Sequence, residues 1–318
     1  MASEHIALSV VIPTWDRAAV LRRTLENLAA QSAQPAQIIL VDASGDQATR
    51  SLCVERPVPG LRAEVVWLAA QTPGAASQRN QGVRECRHAV IGFFDDDILF
   101  EPDCVARLWG ALQSDTGLGG VNAMIVNQRY HPPGRASRLM FCLMAGRTLT
   151  SYAGRVLGPA VNLLPEDRND LPEVVPVEWL NTTCTLYRRE ALPQPPFPAQ
   201  FTGYSLMEDL SLSLTVGKYW KLANARTARI YHDSQPGRHK DEPVAASRME
   251  LVNRHYVMTN VMGKRGFGDY ARLVLWELFQ LASCAINKRG GVGFWRELCG
   301  KMLGLCNVLN SRMRLGSR

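Results

Sequence analysis

The chain has 318 residues, of which 46% are hydrophobic and 20% charged, with a formal net charge of +7. These proportions exclude a disordered or collagen-like chain and allow a large buried core, with or without an appendage. Nearly all of the charge sits in residues 287–318, where seven Lys and Arg face only Glu297, so a protein-wide basic surface for nucleic acid is excluded.

The first strand pattern is the β-branched run IALSVVIP, which ends at Pro13. TWDRAAVLRRTLENLAAQSA follows with Leu21, Leu25, Leu28 and Ala29 at helical spacing, and Thr14 or Asp16 can cap it. QIILVDAS predicts a second strand and AEVVWLAA a third. PGAASQRNQGVRECRH predicts a helix leading into the strand AVIGFF, after which EPDCVARLWGALQSD and GLGGVNAMIVNQ give another helix and strand. Short apolar strands separated by helices predict an α/β fold with a mostly parallel sheet covered on both faces. Ligands of such sheets bind beyond the carboxyl ends of the strands. Pro13, Thr14, Asp42 and the run Asp95, Asp96, Asp97 all fall at such ends.

Residues 131–175 are less regular and contain an inserted helix, RASRLMFCLMAGR. VPVEWLNTTCTLYRREAL then predicts a strand, GYSLMEDLSLSLTVGK a turn and helix, and YWKLANARTARIYHDSQPGRHKDEP one or two strands and a polar exit, with His232 following an apolar strand. A domain over 1–235 is therefore expected, followed by a helical, basic region over 236–318. Within that region YARLVLWELFQLASCAI (Tyr270–Ile286) carries Arg272 and Glu277 and is shorter than the roughly 20 residues of a bilayer span. Val274, Leu275, Leu278, Phe279, Leu281, Ala282, Ala285 and Ile286 share one side of its wheel, and Arg272, Glu277, Gln280, Ser283 and Asn287 the other. Two readings stay open: a helix lying on an anionic membrane beside the basic tail, or an amphipathic helix packed on the protein. The eight cysteines show no CxxC pair and read as thiols of a cytosolic protein. No basic-then-apolar leader is visible, so no signal peptide is expected.

Three adjacent carboxylates at the end of a buried strand repel one another unless a cation sits among them. A hard divalent ion, Mg²⁺ or Mn²⁺, suits such oxygen donors and is commonly completed by substrate phosphates. A solvated acidic turn is the alternative. Neither GxxxxGK[ST] nor GxGxxG occurs. Arg79 can hold a phosphate or carboxylate through its fixed fork of donors, or lie on a helix surface. Glu208 and Asp209 open a helix, where the dipole favours acids and where a carboxylate can act as general base. His232 can be a metal ligand or a structural histidine.

The blocks SVVIPTWDRAAVLRRTLENLAAQ, IILVDASGD, GAASQRNQGV, IGFFDDD, TLYRREAL, GYSLMEDLSLSL and ARIYH occur in an order that resembles family-2 glycosyltransferases of the GT-A fold, over residues 6–235. The resemblance implies a Rossmann-like sheet with helices on both faces. It also implies transfer, with inversion, of one sugar from a nucleoside-diphosphate sugar to an acceptor hydroxyl. It places Pro13, Thr14, Asp42, Arg79, Asn80, Asp95 and Asp96 on the nucleotide sugar. Asp95, Asp97 and His232 would hold Mn²⁺ or Mg²⁺, Asp209 would be the base, and Glu208 would orient the acceptor. Trp179 and Asn181 would lie on the acceptor side. Ala43 departs from the pattern, since relatives often carry a second acid or Asn there. The absence of QxxRW fits a one-sugar transferase rather than a polymerase. The expected setting is cytoplasmic or peripheral on the inner face of a membrane, with a surface-glycan or lipid-linked acceptor. A catalytically inactive sugar-nucleotide-binding scaffold is the rival reading. A nucleotidyltransferase would need a Gly-rich loop near the first strand that this chain lacks.

Overall fold

A computed structural model describes residues 4–235, 242–286 and 292–316. Of the basic residues near the C-terminus, Lys288, Arg289 and Arg318 lie outside the described residues. The chain divides into two compact units, one of residues 1–130, 153–155 and 164–235, the other of 131–152, 156–163 and 236–318.

The first unit begins with the alternation the sequence predicts. β1 (Glu4–Thr14), α1 (Ala18–Ala29), β2 (Ala33–Asp42), the one-turn α2 (Ala48–Arg50) and β3 (Glu64–Ala69) lead to α3 (Ala75–Glu85) and β4 (Val90–Phe94). A short β5 (Ile98–Phe100), α4 (Cys104–Ser114) and β6 (Leu118–Ile125) follow. The chain then passes through α5 (Arg135–Ala145), β7 (Val156–Leu157) and β8 (Val161–Asn162), which belong to the second unit. It returns with β9 (Val174–Val177), β10 (Cys184–Arg188), α6 (Glu208–Val216) and β11 (Lys221–His232).

These strands form one sheet in the order β3-β2-β1-β4-β10-β6-β11-β5, with β9 paired to β11. β1 is parallel to β2 and β4, β2 to β3, and β6 to β11. β10 runs antiparallel between β4 and β6, and β5 and β9 run antiparallel to β11. The sheet is therefore mostly parallel, with three reversed strands that the apolar pattern did not distinguish. Alternate β1 side chains explain its two covered faces. Val10 and Ile12 pack with Leu21, Leu25 and Leu28 of α1, whereas Val11 faces Gly82 of α3. A Cβ on Gly82 would come 2.4 Å from Val11 Cγ1, so the small residue lets α3 lie close on the sheet.

The second unit contains α7 (Pro243–Tyr256), α8 (Phe267–Ile286) and α9 (Val292–Gly316). Residues 131–152 and 156–163 were expected within the first domain, yet they group with these helices. The reason is apolar packing: Met140 and Met144 of α5 share a cluster with Tyr152, Leu157, Val161 and Trp276. No described helix is long and apolar enough to cross a membrane.

Candidate active site

The run Asp95–Asp97 leaves the end of β4 within hydrogen-bond reach of Thr14 at the end of β1, of Arg17 before α1 and of Thr24 within it. Its backbone is held from several sides. The Asp95 amide donates to the Thr183 carbonyl at 2.9 Å, and the Thr24 hydroxyl donates to the carbonyls of Asp96 (2.7 Å) and Ile98 (3.1 Å). The β5–β11 pairing sets Ile98 opposite His232, and the Asp233 amide donates to the Asp97 carbonyl at 2.8 Å. That register brings together two motifs separated by 135 residues. His232 Nε2 lies 3.1 Å from Asp97 Oδ1, while the Gln128 amide lies 3.0 Å from Nδ1 and can donate to it.

Asp95, Asp97 and His232 each offer one ligand atom, and these atoms lie within 4.8 Å of one another. Two carboxylates and one imidazole suit Mn²⁺ and are compatible with Mg²⁺. Asp97 is well prepared to stay ionised. Burial alone would raise its pKa, but His232, the Gln235 amide and Arg17 outweigh that effect and lower it. Asp96 behaves differently. Expected on the nucleotide, it turns inward, accepting from the Thr14 hydroxyl at 2.7 Å and Arg17 at 3.3 Å. Burial pushes its pKa up to about 7, Thr14 opposing and Asp97 adding to the rise.

A second acidic group is tied to the first by Arg79. From α3 this buried side chain donates to Asp95 at 2.7 Å and to Glu208 at 2.9 Å. Its two terminal nitrogens thus bridge the candidate cation site and the acids that open α6. The loop delivering those acids has positive φ at Gly203, Ser205 and Met207, a conformation that L side chains adopt at a cost of about 1–3 kcal/mol each. It is fixed against the start of α3. Ala75 N donates to the Gly203 carbonyl at 3.2 Å, and Ala76 N to Ser205 Oγ at 3.3 Å. The small residues of PGAAS therefore permit a backbone approach that sets Arg79 and Glu208 in register.

Burial raises Glu208 to about 8, with repulsion from Asp209 adding and Arg79 opposing. Burial also raises Asp209, to about 6, opposed by the Leu210 amide and by Arg79. Neighbouring carboxyls with separated pKa values suit different proton-transfer tasks. Of the two, Asp209 is raised less.

The remaining expected residues occupy defined places. Thr14 and Asp42 end the adjacent strands β1 and β2, in register with each other. Asp42 accepts from Ser44 N at 2.9 Å, Ser44 Oγ at 2.5 Å and Trp67 Nε1 at 3.2 Å. Pro13 precedes Thr14 and is half-buried. Asn80, expected beside the nucleotide, has both ends of its amide committed to the Phe197 backbone, at 2.7 and 3.0 Å. Trp179 and Asn181 are buried. Between them, Leu180 N donates to Ser213 Oγ at 2.9 Å, and that hydroxyl lies 2.7 Å from the Asp209 carbonyl. The segment is thereby joined to the helix that carries Asp209. Asn181 Oδ1 is buried with no hydrogen-bond partner among the described residues, an acceptor that a bound ligand could satisfy.

Three contributors escaped the sequence reading. Arg17 reaches both Asp96 and Asp97, at 3.3 and 3.4 Å. Gln78 donates to the carbonyls of Thr14 (3.0 Å) and Val41 (2.7 Å), tying the two strand ends together. Gln128 reaches His232 as described. Arg17 and Gln78 stand in WDR and SQRNQG, where charge and polarity at a strand end were available signals. Gln128 carried none.

The family described as "Glycosyl transferase family 2" matches residues 9–193. Validoxylamine A glucosyltransferase of Streptomyces hygroscopicus subsp. jinggangensis is 34% identical over 113 residues, which are 35% of this chain and 26% of that protein. An uncharacterized glycosyltransferase of Haemophilus influenzae is 28% identical over 129 residues, 39% of this chain and 38% of that one. The chain therefore aligns with well under half the length of either relative. Among solved structures, S. aureus TarS 1-349 with UDP-GlcNAc superposes with a TM-score of 0.52 at 16% identity, covering 90% of this chain and 75% of that one. The mannosyltransferase PcManGT from Pyrobaculum calidifontis, with GDP-Man and Mn²⁺, gives 0.51 at 15% identity, covering 94% and 80%. At these identities the likeness is one of fold.

Proposed function

The chain belongs to glycosyl transferase family 2 and is a glycosyltransferase of the GT-A fold; we propose that it moves one sugar from a nucleoside-diphosphate sugar to an acceptor hydroxyl, with inversion and with a divalent metal ion. The observation that carries this reading is the Arg79 bridge from Asp95, beside the cation-ligand set, to Glu208, beside a candidate base. The nucleotide sugars and Mn²⁺ named for TarS and PcManGT support the donor class and the ion.

In this reading the donor lies over the ends of β1, β2 and β4, and Asp95, Asp97 and His232 would hold Mn²⁺ or Mg²⁺. When bound, that ion neutralises the diphosphate and stabilises the charge of the departing group. Asp209 accepts the proton of the acceptor hydroxyl. The acceptor oxygen bonds to the anomeric carbon as the bond from that carbon to the phosphate oxygen breaks, and the nucleoside diphosphate leaves with the electron pair. Arg79 holds Glu208 beside Asp209, where Glu208 can orient the acceptor. The buried, unsatisfied Asn181 Oδ1 supports an acceptor-side role for Trp179–Asn181. Asp42, with Trp67 and Ser44 on its carboxylate, is assigned to the base end of the donor. The basic C-terminal segment supports an acceptor carried on a lipid or surface glycan, and a peripheral station on the inner face of a membrane.

Asp209→Asn tests the assignment. General-base catalysis contributes about 10²–10⁴-fold, so kcat for sugar transfer is expected to fall by that order while donor binding is kept. Near wild-type turnover in a folded variant would remove Asp209 from this role.

A further inference from the structure

The last two helices each leave a stripe of large apolar side chains exposed. In α8, Val274 is 58% and Leu278 57% exposed, and Leu275, Ala282 and Ile286 continue the same exposed stripe. Glu277, by contrast, is 8% exposed. It is paired inside the unit with Lys301 of α9 and, at 3.1 Å, with Arg254 of α7. α9 is arranged likewise. Trp295 is 66% exposed and Met302 60%, while the charged Lys301 is buried. Gly300 and Gly304 face α7, where a Cβ at Gly300 would lie 2.4 Å from the Val244 carbonyl oxygen.

A helix that packs amphipathically on a protein turns its apolar side inward. Here an apolar set does turn inward, Leu273 and Trp276 beside Glu277 in α8 and Val308 beside Lys301 in α9, but a second apolar stripe on each helix is left outward. The helix Tyr270–Ile286 thus packs through Leu273 and Trp276 with Glu277 beside them, and leaves Val274, Leu278 and Ile286 outward. The outward stripes call for an apolar occupant.

We propose that the outward faces of α8 and α9 together form a docking surface for a membrane containing anionic phospholipid, entered at headgroup depth without crossing. Charge complementarity selects this occupant. Apart from the buried Lys301, residues 287–318 carry six Lys and Arg against Glu297 alone, a balance drawn to anionic headgroups. The exposed Trp295 beside the exposed Arg296 is the pairing of an interfacial anchor, with an aromatic ring at the acyl boundary and a cation among the headgroups. Neither helix has the length and apolarity to span. The surface rests on the reading above in that it names where a membrane-borne acceptor would meet the enzyme.

The test is flotation of the full chain with phosphatidylcholine vesicles, with and without phosphatidylglycerol, at low and high salt. The wild type is expected to float with the anionic vesicles at low salt, weakly with the neutral ones, and less as salt rises. Leu278→Glu combined with Trp295→Glu is expected to weaken flotation at least about tenfold, with unchanged melting and mass. Should that pair lower the melting temperature, Val274→Ser with Met302→Ser serves in its place, with the same expectation. The proposal is overturned by no flotation of the wild type, by flotation that the face variants leave unchanged, or by flotation indifferent to phosphatidylglycerol. A dimer that these variants disperse also overturns it, giving the face to a second copy of the chain. Nucleoside-diphosphate binding, measured on the same samples, reads the crevice separately. Retained nucleotide binding without flotation sinks the docking surface alone, and flotation without nucleotide binding sinks only the crevice reading.

Discussion

Arg79 is nearly inaccessible to solvent, and its guanidinium touches two carboxylates that belong to different motifs. Removing it leaves Glu208 and Asp95 without their shared cation, and breaking a buried pair costs about 3–5 kcal/mol. Arg79→Met is therefore expected to lower unfolding stability by that amount in urea titration and to abolish sugar transfer. Arg79→Lys, which cannot fork to both acids, should restore part of the stability but little of the activity. The acids themselves set a pH window. Glu208 and Asp209 have folded pKa values raised above the ordinary carboxylate range, to about 8 and about 6. Their protonated forms thus favour the ligand-free fold, and that contribution is lost as pH rises through these values. Melting temperature without ligand should fall between about pH 6 and 8, and Glu208→Gln should flatten the decline. Turnover runs the other way, falling as Asp209 protonates below about pH 6. A melting curve that rises over the same interval contradicts the assignment.

At the scale of elements, α3 and the loop before α6 are locked by backbone contacts. Gly74 has φ +135°, and a Cβ there would meet Gly203 N at 3.0 Å and Gly203 O at 3.1 Å. Gly74→Ala combines a disfavoured backbone with a clash against main chain that cannot rotate away. It should cost about 1–3 kcal/mol and displace Glu208 from Arg79, so kcat falls more than donor affinity. A wild-type kcat in that variant would show that the lock does not position the acids. Much of this element plan was legible in the sequence: IALSVVIP, QIILVDAS and AVIGFF are strands, and their acids do stand at carboxyl ends. The contact between Asp97 and His232 depends on β5–β11 pairing, and only the family resemblance joined the two motifs. Arg79 could not be told from a surface arginine, because helix periodicity says nothing about which neighbours a polar residue finds.

For the whole molecule, the division into two units was the least legible feature. RASRLMFCLMAGR reads as a helix from its own spacing, but its attachment to Trp276 rests on contacts more than a hundred positions away. A helical wheel likewise separates the faces of α8 without saying which one is turned inward. Leu273, Trp276 and Glu277 are the buried side of α8, and Val274 and Leu278 the exposed one. Lys301→Met leaves Glu277 with a single cationic partner in a dry setting, and should destabilise the second unit by about 3 kcal/mol in chemical denaturation. Unchanged unfolding would mean that water already screens the pair. Across the first unit, the central claim is that paired acids and His232 hold a cation beneath a nucleoside diphosphate. Calorimetric titration of uridine and guanosine diphosphate, with Mn²⁺ and with chelator, addresses it most directly. At least one nucleotide should bind only with Mn²⁺, and Asp97→Ala should weaken that binding tenfold or more; equal affinity with chelator, or an unaffected Asp97→Ala variant, would contradict the account.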